Sequence, residues 1–539
     1  MTRRFVVASV FAVVVTAAFL PGSGLGSRAV AVRRAQSAIP GSLAAAIRAQ
    51  LGAGAVRSSS AKKATGPLLG FSVALSADGT TALVGAPTVS GGKGAAYIFH
   101  TSDAGSWTSS GIPTAILTSP RGKARGLFGI AVALSASGTT AFVGAPLTGG
   151  SLFGGGAIFA FHVSAEDAWA STSKPTATLT ATHGTFVGIA LALSPDGTTL
   201  VAGAPFYNTL AGGAYVFHVA SEGAWVSRSS PTATLTNAAE SKDDSFVGAA
   251  VAVSADGTTA LLGDSSNTSG GGAFVFHVSA ESAWTSSSAP AAILSDAGSG
   301  SQDALGTVLA LSGDGTVALL GAPGANLNTG AADVFHSSGE AAWATTSTPA
   351  ATLTTSGGAG DMLGENVALS SDGKAAFVFA PGVSAGRGAG YLFGASAEAA
   401  WASSSTPTAT LTRTGSHPKD DLGIGVFSAD GATALLGAPG VRSQTGEADV
   451  FHVADESSWV SSATPNAKLT DDALAACVVP RLKGLRLSDA KSALTDGRCR
   501  VGKITRVHSK SRKGRVLSQN RRPGRRLAIG AKVALRVGK

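Results

Sequence analysis

Ile189-Ala190-Leu191-Ala192-Leu193-Ser194-Pro195-Asp196-Gly197-Thr198-Thr199-Leu200-Val201-Ala202-Gly203 is two apolar runs joined by a tight turn, and its return along the chain decides the fold. The first run stops at Ser194-Pro195-Asp196-Gly197, a turn signal with Gly where positive φ is needed. The second ends in Ala204-Pro205. After a variable loop with Gly212-Gly213, the segment Ala214-Tyr215-Val216-Phe217-His218-Val219 is rich in aromatic and β-branched types. Pro231-Thr232-Ala233-Thr234-Leu235-Thr236 then alternates at period two. The reading is four strands, the first two buried on both faces. The last is a half-exposed edge strand, led by a proline that cannot donate to a ladder.

The turn glycine recurs as Gly79, Gly138, Gly197, Gly257, Gly315, Gly373 and Gly431, at intervals of 59, 59, 60, 58, 58 and 58 residues. The seven tryptophans, Trp107, Trp169, Trp225, Trp284, Trp343, Trp401 and Trp459, fall one to each unit. A fixed period of this size means units that bury their apolar faces only against neighbours. Seven four-stranded units predict an all-β fold, a seven-bladed β-propeller over 66–471. An open solenoid competes less well, because its rungs are shorter. The first unit begins near Gly70 and the seventh ends near Thr470, so closure is expected from packing between the first and seventh blades. Residues before Gly66 are the other possible source of a closing strand.

Charge divides the chain. Residues 66–476 hold 13 Lys and Arg against 30 Asp and Glu, a balance of −17, whereas 477–539 hold 19 against 2, a balance of +17. The run Phe5 to Leu20 follows Arg3 and Arg4 and precedes small residues. At about 16 residues it is short for a spanning helix. It reads as a secretory signal over 1–31 followed by a low-complexity linker over 32–65; an uncleaved anchor is the alternative. No later run is long enough to span a membrane. In an exported chain the two cysteines, Cys477 and Cys499, favour a disulfide, and two sulfur ligands alone make a poor zinc site.

Leu127-Phe128-Gly129-Ile130-Ala131-Val132 and Val143-Gly144-Ala145-Pro146 resemble the FG-GAP repeat of integrin α-type propellers and related bacterial surface proteins. Gly85-Ala86-Pro87, Gly203-Ala204-Pro205, Gly321-Ala322-Pro323 and Gly437-Ala438-Pro439 repeat the pattern, while Gly263-Asp264-Ser265 and Phe379-Ala380-Pro381 depart from it. The resemblance implies surface binding or adhesion. The calcium loops of that family are not carried over, since one carboxylate per turn cannot supply six to eight oxygens. Asp78, Asp196, Asp256, Asp314, Asp372 and Asp430 are expected to satisfy backbone N–H groups of their own hairpins, with Ser137 in the second unit. Asp243-Asp244, Asp303, Asp361 and Asp420-Asp421 precede the inner strands and read as a solvated loop surface or a partner-binding rim.

His100, His162, His218, His277, His336 and His452 close the third strands, spread around a ring where they cannot converge on one metal; they are read as donors to neighbouring turns. The tryptophans are read as covers of each unit's outer hairpin, against a lectin alternative in which each ring stacks on a sugar. Gly382-Val383-Ser384-Ala385-Gly386 matches G-x-S-x-G, but a nucleophile elbow needs a strand followed directly by a helix. No catalytic residues, metal ligands or cofactor site are assigned, and the expectation is a protein that is not an enzyme. A secreted propeller hydrolase or lyase acting on polysaccharide or lipid is the alternative.

Val479-Pro480, Leu482, Gly484, Leu487, Ala490 and Leu494, then Gly514, Val516, Ser518-Gln519, Pro523-Gly524, Gly530 and Val533, Leu535, Val537, resemble a PASTA domain over 477–539. From the residues alone, Leu487, Ala490, Lys491 and Leu494 form one helical face and the alternating valines and leucine a final strand. The resemblance implies association with cell-wall peptidoglycan; teichoic-type anionic polymers are the other wall polyanions its charge could meet. Nucleic acid is disfavoured, because the segment has no Phe, Trp or Tyr to stack on bases. Docking of the basic segment on the acidic body is a further reading. The expected protein is exported, cell-surface and binding, with its propeller partner, protein or glycan, unknown.

Overall fold

A computed structural model describes residues 66–539, apart from 121–125, 149–154, 182–185, 209–210, 240–245, 265–269, 301, 497–498, 510–512 and 529–530. The signal and linker readings, Asp243, Asp244 and Gly530 lie outside the described residues.

The described chain is all-β over the repeats. Seven four-stranded antiparallel sheets follow one another, each a meander with its strands in sequence order. The stretch quoted first gives Leu191–Leu193, Thr199–Gly203, Ala214–His218 and Ala233–Leu235. Apolar residues of adjacent sheets fill the space between them: Leu83 and Ile98 pack with Phe128, Phe159 and Trp169, and Phe377 and Phe379 with Leu436 and Trp459. The arrangement is β-propeller-like.

One expectation needs correcting. The second strands are buried throughout, as in Thr140–Ala145, but the first strands, Val132–Leu134 excepted, are not buried on both faces. Leu191–Leu193 and Leu309–Leu311 are only half-buried, because these strands line an axial cavity. Apolar character there reflects a lining, not a double-sided core.

Sheet-to-sheet joints repeat in the main chain. The N–H after each outer strand bonds the next sheet: Thr118 to Thr172, Thr180 to Arg228, Thr236 to Ser287, Ser295 to Thr346, Thr354 to Ser404 and Thr412 to Ser462. Thr470 N–H continues the series to Ser110 of the first sheet, at 2.8 Å. On the other face Gly446 bridges Leu69 just as Gly94 bridges Phe128 and Gly388 bridges Leu422. The last sheet thus meets the first through the same bonds that join the others.

Four of the variable loops contain a short helical turn: Val89–Gly92, Ala325–Asn328, Val383–Gly386 and Val441–Gln444. In all four, residues sit in the left-handed region, among them Asn326 and Leu327 at φ 50° and 60° and Arg442 at 51°.

Beyond the ring, the helix Leu487–Asp496 covers a three-stranded sheet in which Lys532–Gly538 lies between Arg500–Val507, parallel to it, and Val516–Gln519, antiparallel. Ala490, Leu494, Val516, Val533, Leu535 and Val537 form its core. Cys477 and Cys499 are joined by a disulfide, both cysteines buried. Among the described residues no helix is long and apolar enough to cross a membrane.

Candidate functional sites

Each Ser-x-Asp-Gly turn is a closed polar unit. Asp78 Oδ1 accepts from the Ser76 and Thr80 hydroxyls and from Thr80 N–H, and the Ser76 hydroxyl in turn accepts from Thr81 N–H. Asp196, Asp256, Asp314, Asp372 and Asp430 repeat the backbone bond, and Ser137 makes it in the second sheet. These donors hold the Asp78, Asp256, Asp314 and Asp372 carboxyls below the usual range, outweighing a burial that alone would raise them. The aspartates serve their own hairpins, as the sequence suggests.

The turn glycines require their lack of a side chain. All seven have φ between 65° and 73°. A Cβ on Gly138 or Gly257 would also fall 1.6 or 1.8 Å from the Glu166 or Glu281 carboxylate lying over it. Those glutamates clip neighbouring sheets together. The Thr80 hydroxyl donates to Glu166, Thr139 to Glu222, Thr198 to Glu281 and Thr316 to Glu398, each pair spanning one sheet and the next.

The tryptophans sit elsewhere than expected. Each indole N–H donates to the carbonyl of its own unit's turn glycine, from Trp107 to Gly79 through Trp459 to Gly431, at 2.7–2.9 Å. They therefore lock the inner hairpin, and they pack on the preceding sheet, as in the edge contact of Trp225 with Phe142. At 2–8% exposure no ring is free to stack on a sugar, which removes the tryptophan basis of the lectin alternative.

His100, His162, His218, His277 and His452 each share a hydrogen bond of 2.8–3.0 Å between Nδ1 and the threonine hydroxyl beginning the second strand. In the fifth sheet that threonine is Val317. The histidines tie strand ends and do not converge. Ser384 of the G-x-S-x-G match lies at φ 53° in the left-handed turn Val383–Gly386, which leads into the strand Ala389–Gly394 and not into an elbow helix.

The axis holds a cavity of about 220 Å³ ringed by Leu75, Leu134, Leu193, Val253, Leu311, Leu369 and Phe427, one from each first strand. Below them a belt of main-chain bonds runs around the axis: Ala77 N–H to Ala136, Ala136 to Pro195, Ala255 to Gly313, Gly313 to Ser371 and Ala429 to Ala77. The belt skips two steps, the one from residue 195, where proline has no N–H, and the one from Ser371 to Ala429. The residues lining this cavity carry no acid, base or thiol.

A buried ionic cluster was not anticipated. Arg413, after the sixth sheet, pairs with Asp420 at 3.2 Å, with Asp449 at 2.6 Å and with Glu447, all four side chains at most 6% exposed. Asp420 is thus a core residue, part of neither a solvated loop surface nor a partner-binding rim. Burial pushes Asp449 up to about 7 although the Arg413 guanidinium opposes this; Glu447 adds to the rise. The same register at the junction of the fourth and fifth sheets carries Asp296, Asp303 and Asp333, with Asp296 in the place of the arginine. Asp333 is pushed up to about 6 by burial, against a bond from Thr352, with Asp296 and Asp303 adding to it. The signal was in the sequence: Asp333 and Asp449 replace the aromatic residue found there as Tyr97, Phe159, Tyr215, Phe274 and Tyr391. Among the described residues no group of three or more His, Cys, Asp or Glu is placed to hold a metal ion.

In the C-terminal module the basic side chains face solvent: Arg481, Lys483, Arg486, Arg500, Lys503, Lys532 and Arg536 are all exposed. The six ion pairs found among the described residues all lie between residues 218 and 449, within the repeats. No curated protein matches the chain. Residues 478–539 match the family model of the PASTA domain, so the chain carries a PASTA domain behind its propeller-like sheets.

Proposed function

We propose that this is an exported, non-enzymatic binding protein of the cell surface, in which a seven-bladed, FG-GAP-like propeller presents loops to a protein or glycan partner and the PASTA domain associates with cell-wall peptidoglycan or an anionic wall polymer. The observation that carries the reading is the PASTA match over 478–539, a type of module that points to the cell wall. Support comes from the charge division, −17 against +17, with the basic side chains of the module exposed. It comes also from the ring, whose polar groups are spent on its own turns and joints.

Retention on purified cell walls tests this, comparing the full chain with a variant truncated after Asp472. The full chain is expected to pellet with the walls and the truncated one to stay in solution. Equal retention of the two would remove the wall-binding role of the module.

A further inference from the structure

We propose that the solvent face of the module's three-stranded sheet seats a linear, base-free phosphodiester polymer; this deepens the wall-binding reading above and rests on it. Val533, Leu535 and Val537 are 0–2% exposed and turn toward the helix Leu487–Asp496. Side chains alternate along a strand, so Lys532, Ala534 and Arg536 turn the other way. The register places Arg500 directly opposite Lys532, and sets Arg536 between Thr505 on one side and Ser518 on the other. Arg500, Thr505, Ser518, Lys532 and Arg536 are all exposed.

Two like charges directly opposite destabilise a sheet. Among the described residues no acidic side chain on this face offsets them: the module has two acidic residues, Asp489 and Asp496, and both positions belong to the helix. Arg500, Lys532 and Arg536 enter no ion pair among the described residues. The missing counter-charge is therefore external.

Its shape follows from the donors. Around Arg536 a guanidinium fork and two hydroxyls lie on paired positions about 5 Å apart. A fork with a hydroxyl on either side suits the tetrahedrally disposed oxygens of phosphate better than the in-plane lone pairs of a carboxylate. The second cationic row, Arg500 with Lys532, lies four residues along the strand, about 13 Å away. Between the rows lies Ala534, with Gly502 packed against its backbone, the Asn520 amide oxygen accepting from its N–H and the exposed Lys503 in the bulge beside it, a third cation between the two rows. Cations spaced along one strand suit an extended polyanion, and the module has no Phe, Trp or Tyr on which nucleobases could stack.

The test uses the full chain and two wall preparations, untreated and treated with cold hydrofluoric acid, which cleaves phosphodiesters and spares the glycan. Treatment is expected to lower retention about tenfold, with a salt dependence lost alongside it. Arg500→Gln, Lys532→Gln and Arg536→Gln together are expected to lose as much on untreated walls, flattening the salt slope by about 2. Arg481→Gln, Lys483→Gln and Arg486→Gln, an equal change of charge elsewhere, should keep retention. Undiminished retention of the wild type on treated walls overturns the proposal while leaving wall binding intact. No retention on either preparation removes both. Displacement by single-stranded DNA as effective as that by polyphosphate overturns it in favour of nucleic acid.

Discussion

Trp225 shows how much a single residue does in this fold and how little of that can be read in advance. Its place in the repeat is visible, but its partner, the Gly197 carbonyl 28 positions away, emerges only when the unit folds back on itself. Trp225→Phe keeps the packing on Phe142 and strands a buried carbonyl, so a loss of about 1–2 kcal/mol is expected in denaturant melts. Asp333 makes the complementary case. Its folded pKa lies above the unfolded carboxylate value, so the folded state binds more protons between about pH 4 and 6. Stability is full below that window and falls as pH rises through it, by up to about 3 kcal/mol. Asp333→Asn, which retains an acceptor for Thr352, should be the more stable form at pH 8 and should flatten the profile; parallel profiles for the two proteins would remove the effect from this carboxyl.

At the scale of elements, strand positions were legible because apolar runs, turn glycines and proline all point the same way in every unit. The left-handed turns were not, since sequences as different as Val89–Gly92 and Ala325–Asn328 adopt them under the constraint of two strand ends. Nor was the clip between sheets, whose two halves are more than 80 residues apart. Where the seventh sheet meets the first, both halves are missing: Ala104 stands in the glutamate position and Ala432 in the threonine position. Installing Ala104→Glu with Ala432→Thr should add about 1 kcal/mol of coupling beyond the sum of the single changes, measured by a double-mutant cycle. In the C-terminal module, the Cys477–Cys499 bond closes a loop across a small core. Its removal by Cys477→Ala with Cys499→Ala should cost the module about 3 kcal/mol and leave the melt of the ring in place.

For the whole molecule the period carried nearly all of the architecture, because each unit can bury its faces only against a copy of itself. Function was less legible. A ring spends its repeated polar residues on its own turns, so the residue types that usually betray a site, His, Asp, Trp and Ser, are here parts of the scaffold. Only the module, where the repeat stops and the charge reverses, departs from that economy. The account as a whole depends on the sheets closing on one another, and hydrogen exchange at the joint reports this directly. The amides of Ala77, Ala429 and Thr470 bond across or beside the meeting of the seventh and first sheets, as those of Gly313 and Thr236 do within the series. A closed ring predicts protection of the first group equal to that of the second; free exchange at Ala429 and Thr470 beside protected Gly313 and Thr236 would mean an open spiral and contradict the account.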